Sequence, residues 1–311
     1  MTNFADIPGT TQVWFNGKFK DWKNATVHIM THALHYGSAQ FEGIRCYNTK
    51  KGSAIFRVKE HVDRLFNSCK FYRMAPAYAK AEIIEAIKET IRVNQFKECY
   101  IRPIVFRGTG AFGVNPLDNS IETVICCWYW GAYLGPEALE KGVHVMCSSW
   151  NRIAPNTMPA LAKCSANYAN SQLIKIEAIQ NGYAEGIALD VSGYVSEGSG
   201  ENIFLVRGNT LLTPPLGNSV LPGITRDTVI TLARELGLTV VEGIVPRDML
   251  YIADEVFFTG TAAEISPIAS IDKIPVGSGK RGPVAAKLQE AFFAYVNGDA
   301  PDKYGWLEFV Y

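Results

Sequence analysis

The 311-residue chain carries no excess of charge: 30 Lys and Arg balance 30 Asp and Glu, and no long basic stretch occurs. An electrostatic footprint for nucleic acid is therefore missing, and a small-molecule ligand is the better expectation. No apolar run approaches the length of a membrane span, and the first residues, MTNFADIPGTTQ, lack a basic segment followed by an apolar one. The seven cysteines form no CxxC pair, and an odd count with adjacent Cys126 and Cys127 in an apolar run reads as reduced, buried thiols of a cytoplasmic protein. Low-complexity segments, internal repeats, a GxSxG elbow and an HExxH motif are also wanting, which removes arrays, that kind of serine hydrolase and that kind of metalloprotease.

What is present is ordinary for a folded protein, with 48% hydrophobic and 19% charged residues. Strand signals open the chain: Asn16-Gly17 predicts a hairpin in VWFNGKFK, and a second joins FEGIRCYN to SAIFR through residues 49 to 52. Residues 59 to 73 put Val62, Leu65, Phe66 and Cys69 on one helical face, and residues 80 to 93 do so with Ile83, Ile84, Ile87 and Ile91. ECYIRPIVFR and ETVICCWYW read as strands. Glycine and proline then interrupt the pattern. The spacing predicts a small α/β domain over 1–130, an interdomain loop over 131–142 and a larger, β-rich domain over 143–311. In that second part, hairpins close at Ser192-Gly193 and Gly208-Asn209, and two helices end at Gly182 and Gly237. The fold class is α+β with two lobes.

Two motifs point elsewhere and fail on context. Gly108, Gly110 and Gly113 in GTGAFG have dinucleotide-binding spacing, but VNPLDNS follows where a helix facing a pyrophosphate is required, so a nicotinamide dehydrogenase is disfavoured. His28, His32 and His35 could share a helical face and hold zinc, but no acidic second shell accompanies them, and no metal is expected.

Lys163 raises a sharper question. It lies in NTMPALAKCSANYANS among small and apolar residues that offer no counter-charge. Such a lysine is either a snorkelling surface residue or a desolvated amine, and a desolvated amine can form a Schiff base with a carbonyl cofactor such as pyridoxal phosphate. The phosphate of that cofactor needs donors: Ile224 and Thr225 at a helix start, Thr261 in a Gly-Thr turn, and Arg64 as a cation. Its ring nitrogen needs a carboxylate, for which Glu197 in GYVSEGSGENIF is the candidate.

Together with HALHYGSAQFEGIRCY, EHVDRL, YIRP, GVNP, SSWNRIAPNTMPALAK, LPGITRD and FTGTAAE, these residues resemble, in order and from about residue 13 to residue 307, the branched-chain amino-acid aminotransferases of fold type IV. The resemblance implies pyridoxal 5'-phosphate as cofactor, Lys163 as its Schiff-base and proton-transferring residue, Tyr168 on its phenolic oxygen and Glu197 on its ring nitrogen. Arg64, Ile224 (through its backbone), Thr225 and Thr261 would take the phosphate. Tyr36, Phe41, Tyr100, Arg102, Trp130 and Tyr133 would line the substrate pocket, with Thr261 and Ala262 giving backbone donors to the substrate carboxylate. The implied reaction is reversible transfer between L-leucine, L-isoleucine or L-valine and 2-oxoglutarate. Phe112 and Val114 would enter a neighbouring subunit's pocket, with a homodimer as the minimum unit and a hexamer as the larger alternative. D-amino-acid aminotransferases and aminodeoxychorismate lyases share the fold type, but Tyr100-Ile101-Arg102 matches the L-branched-chain pattern. A binding protein that kept the fold and lost the chemistry is the non-enzymatic alternative.

Overall fold

The computed structural model describes residues 9–131, 134 and 137–311, which fall into two compact units. The first runs through Trp130 and also takes in Ala162–Ala166 and Tyr295–Tyr311; the second comprises Gly131–Leu161 and Asn167–Ala294. The lysine-bearing segment thus belongs to the first unit, although it is remote from it in sequence.

The strands of the first unit are β1 (Gln12–Phe15), β2 (Lys18–Asp21), β3 (Ala39–Phe41), β4 (Ile44–Thr49), β5 (Gly52–Phe56), β6 (Cys99–Arg107) and β7 (Ile121–Trp128). The sheet order is β5-β4-β6-β7-β1-β2, with the strand Leu307–Phe309 beside β5 and β3 beside β6. Asn16 (φ 48°) and Gly17 (φ 82°) make the tight turn between β1 and β2, because this left-handed pair matches the twist of the strands it joins. Three helices accompany the sheet: α1 (His32–Tyr36), α2 (Val58–Phe71) and α3 (Lys80–Val93). The isoleucine row of α3 is fully buried at Ile83, Ile87 and Ile91, as is Leu65 of α2, while Ile84 and Phe66 at the margins of the same faces are half-buried. The three histidines do not share a helix. With Thr31 at the N-cap, α1 includes only His32 and His35, and His28 precedes it.

The second unit is built on β8 (Val143–Cys147), β9 (Glu185–Leu189), β10 (Val195–Gly198), β11 (Asn202–Arg207), β12 (Thr210–Thr213), β13 (Thr239–Glu242), β14 (Glu255–Gly260), β15 (Glu264–Ile271) and β16 (Ile274–Pro275). They form one sheet in the order β10-β9-β8-β15-β14-β11-β12-β13, with β16 on β15. Most pairs are antiparallel, but β8 runs parallel to both β9 and β15, and β12 parallel to β13. All eight residues of β15 are buried, the pattern of a strand covered on both faces. Beside the short helix α4 (Ala138–Lys141), α5 (Asn167–Gln180) packs on β9 and α6 (Ile224–Glu235) on β14. Gly182 and Gly237 take φ near +78° just beyond these last two, where a side chain would be strained. Among the described residues no helix is long and apolar enough to cross a membrane. All seven cysteines are free thiols.

Candidate active site

In the first unit the chemistry converges on residues 40–43, at the end of β3. Gln40 forms an isolated antiparallel bridge with Cys164, in which the Phe41 N–H donates to the Lys163 carbonyl (3.1 Å) and the Ser165 N–H to the Ala39 carbonyl (2.9 Å). The lysine backbone is thereby stitched to the edge of a strand, and its own N–H donates to Ser68 Oγ on α2 (3.0 Å). Neighbouring Ala162 and Cys164 are buried, so the small residues flanking Lys163 are packed and the lysine itself is half-buried. Lys163 Nζ stands 5.0 Å from the centre of the Phe41 ring, over its face.

The guanidinium of Arg102 lies over the same ring, at 4.8 Å, and also near Tyr100 (5.3 Å) and Trp128 (5.6 Å). Arg102 and Tyr100 are two apart on β6 and point to one face, where Arg102 Nη2 donates to Tyr100 Oη (3.2 Å). Trp130 meets Tyr100 edge-on at 4.6 Å. Gly43 has a steric reason: a Cβ there would overlap the Tyr100 hydroxyl. Phe41, Tyr100, Arg102 and Trp130 are therefore brought together. Tyr36, 47% exposed, lies against the His32 ring in a tilted contact (4.5 Å), and Phe112 and Val114 are 75% and 84% exposed on the glycine-rich loop. Tyr133 lies outside the described residues.

Sequence reading put Arg64 here but missed its partners. Arg64 forks onto Glu42, Nε to Oε1 (2.7 Å) and Nη2 to Oε2 (2.8 Å), and His61 Nδ1 meets Oε2 at 2.8 Å. All three are buried, Glu42 completely. A carboxylate only accepts, so Nδ1 carries the proton. Burial pushes the Glu42 carboxyl up, but the charge and hydrogen bonds of Arg64, with help from His61, outweigh it and leave it at about 2. Burial holds the His61 imidazolium below its ordinary value despite Glu42. The available signal was FEGIR followed by an i,i+3 His-Arg pair on one helical face.

In the second unit, Glu197 on β10 pairs its Oε1 with Arg152 Nη2 (2.8 Å), while Oε2 accepts from Asn202 Nδ2 (3.1 Å) and the Leu221 N–H (3.0 Å). Arg152, overlooked in SSWNRIAP, is anchored by its N–H on the Leu189 carbonyl (2.8 Å) and by Nη1 on Asn170 (3.0 Å). Ile224 and buried Thr225 begin α6 after Gly223, an N-cap that supplies no side chain to the first turn and whose Cβ would overlap Asn202 Oδ1. A helix start of this kind suits an anion. Thr261 and Ala262 form the turn between β14 and β15, closed by Glu264 in a left-handed conformation (φ 53°). Tyr168, half-buried, is the second residue of α5.

His28, His32 and His35 make local bonds. His32 Nδ1 meets Ser38 Oγ (2.7 Å) and its Nε2 the Gly113 carbonyl (3.1 Å), His28 Nδ1 accepts from the Met30 N–H (3.1 Å), and His35 Nε2 meets the Ile29 carbonyl (3.0 Å). His32 thus ties α1 to the loop that carries Phe112 and Val114.

A family model described as "Amino-transferase class IV" matches residues 39–271. The chain is 52% identical over 299 residues to a branched-chain-amino-acid aminotransferase of Escherichia coli (strain K12), covering 96% of this chain and 97% of that one. It is also similar to the crystal structure of the Escherichia coli branched-chain amino acid aminotransferase, with a TM-score of 0.96 and 51% identity over 97% of this chain and all of the other. A third likeness is to the T.th. branched-chain amino acid aminotransferase solved with pyridoxamine 5'-phosphate: TM-score 0.94, 48% identity, 97% and 99% coverage.

Proposed function

The chain belongs to the class IV aminotransferases, and from that premise we propose that it catalyses reversible transamination of L-leucine, L-isoleucine and L-valine with 2-oxoglutarate, giving branched-chain 2-oxo acids and L-glutamate. The observation that carries this reading is the shared ring of Phe41, which has the Lys163 amine at 5.0 Å and the Arg102 guanidinium at 4.8 Å. One aromatic platform serves both the reacting amine and the cation that would read a second carboxylate. Aromatic walls at Phe41, Tyr100 and Trp130 suit a branched aliphatic side chain, and Arg102 with Tyr100 suits the distal carboxylate of glutamate.

The residues present fit pyridoxal 5'-phosphate: a primary amine among small neighbours, a buried guanidinium, a helix start without a side-chain cap, and a carboxylate already paired with arginine. When bound, that cofactor supplies an electron-withdrawing ring for the electron pair left at the substrate Cα. Lys163 would hold its carbonyl carbon and, once displaced by the incoming amino group, move the proton from Cα. Glu197 would face the ring nitrogen, Tyr168 the phenolic oxygen, and Arg64, Ile224, Thr225 and Thr261 the phosphate. The turn at Thr261-Ala262 would offer backbone N–H groups to the substrate carboxylate.

Exposed Phe112 and Val114, with Ile29 (71%) and Leu34 (59%), support a homodimer in which the loop enters the second copy's pocket. The free, mostly buried thiols support a cytoplasmic setting. The deciding experiment is the visible absorption of the cofactor-loaded protein before and after L-leucine, D-alanine or aminodeoxychorismate, repeated for Lys163→Ala. A visible band that L-leucine alone discharges, and that Lys163→Ala lacks, is expected; response only to the other two would overturn the assignment.

A further inference from the structure

The Glu42–His61–Arg64 cluster is costly as a stability device. Replacing a buried ion pair by apolar residues is often neutral or stabilising, and α2 is already held by Val62, Leu65 and Cys69, all nearly or fully buried. The cluster is better explained by where it puts Arg64. An arginine side chain on its own samples many rotamers; here Nε and Nη2 are clamped by both oxygens of one carboxylate, whose second oxygen is also held by His61. Glu42 is the next residue after Phe41, the residue whose N–H holds the Lys163 carbonyl and whose ring faces Lys163 Nζ. On the other side, His61, Arg64 and Ser68 lie along one face of α2, and Ser68 accepts from the Lys163 N–H. Amine and guanidinium are therefore referred to each other through residues 41 and 42 within one unit.

Building on the reading of Arg64 as a phosphate ligand, we propose that Glu42 is a positioning residue: its carboxylate, steadied by His61, sets Arg64 at a fixed reach from Lys163 and so makes the site select a phosphorylated aldehyde over the same aldehyde without phosphate. The span between carbonyl carbon and phosphate is fixed covalently in such a ligand. A matching span between amine and guanidinium lowers the ordering cost of binding both ends.

The test uses the full-length apoprotein and two probes, pyridoxal 5'-phosphate and pyridoxal, with equilibrium binding to each followed by absorbance and folding checked by circular dichroism. The parent should prefer the phosphorylated probe strongly; no preference would overturn both the phosphate role of Arg64 and this proposal. Glu42→Gln should weaken pyridoxal 5'-phosphate by on the order of ten- to a hundred-fold while leaving pyridoxal unchanged. In an Arg64→Ala background it should change the ratio no further. Glu42→Asp keeps the charge and withdraws it by one methylene; it serves if the glutamine variant does not fold, and should lower the ratio several-fold. A parental ratio in a folded Glu42 variant, or equal loss for both probes, would overturn the role of Glu42 and leave that of Arg64 standing.

Discussion

Glu42 in the first unit and Glu201 in the second are both buried carboxyl groups, and burial acts on both in the same direction, against the charged form. They end far apart, Glu42 at about 2 and Glu201 at about 8. For Glu201, burial is the main cause, and the charges of Glu185 and Glu197 add to it. The charge of Lys175 acts the other way, but Lys175 is paired with Glu185 at 2.7 Å and offsets only part of this. Glu42 instead owns a guanidinium fork and an imidazole N–H. Depth of burial sets the size of the penalty; a dedicated cation sets the sign of the outcome. Glu197 is a third arrangement, with one arginine on Oε1 and two neutral donors on Oε2.

Removing the cation tests this contrast most severely. Arg64→Ala leaves Glu42 buried with its guanidinium partner gone, and a loss of about 3–5 kcal/mol in urea unfolding at neutral pH is expected. Arg64→Met combined with Glu42→Leu should recover most of it. Arg152→Ala is the milder counterpart, because Asn202 and the Leu221 N–H still serve Glu197; roughly 1–3 kcal/mol should be lost in the same assay. Equal losses in the two variants would break the distinction between a forked and a shared carboxylate.

The smallest effect is a slope. The Glu201 carboxyl lies above its ordinary value of 4.5 when folded, so the folded chain binds the extra proton. Its contribution is complete below that value and is lost as pH rises toward about 8. Glu42 runs the other way: its contribution is present above 4.5 and is lost as pH falls toward about 2. Glu201→Gln should therefore flatten the decline of melting temperature across the neutral range and melt higher at its alkaline end, by about 1–2 °C for each kcal/mol regained. A variant whose melting curve keeps the parental slope would show that Glu201 is not the proton-holding group.

Local chemistry was legible in the sequence, and partnership at long range was not. The turn at Asn16-Gly17, the buried faces of α2 and α3 and the glycines closing α5 and α6 depend on neighbours within a few residues, and each stands where its pattern placed it. Lys163 could be singled out by its lack of charged neighbours, but its attachment to β3 joins residues 124 positions apart and leaves no periodic trace. Arg64 was picked out as a cation without its counter-ion for the same reason. Glu42 is 22 residues away, just past the end of β3, and the i,i+3 spacing of His61 and Arg64 does not by itself name the carboxylate they share. The shared helical face weighed for His28, His32 and His35 does not form, since α1 begins at His32 and leaves His28 outside it.

The strand Leu307–Phe309 pairs antiparallel with β5, matching Leu307 to Phe56 and Phe309 to Ala54. During translation this makes the first unit the last to be finished. Its opening strands leave the ribosome early, yet the outer edge of β5 stays unpaired until about 250 residues more have been threaded out. Such an edge is a template for any extended chain nearby. The nascent protein is then most exposed to chaperones, and to mispairing with a neighbour on the same messenger, over that interval.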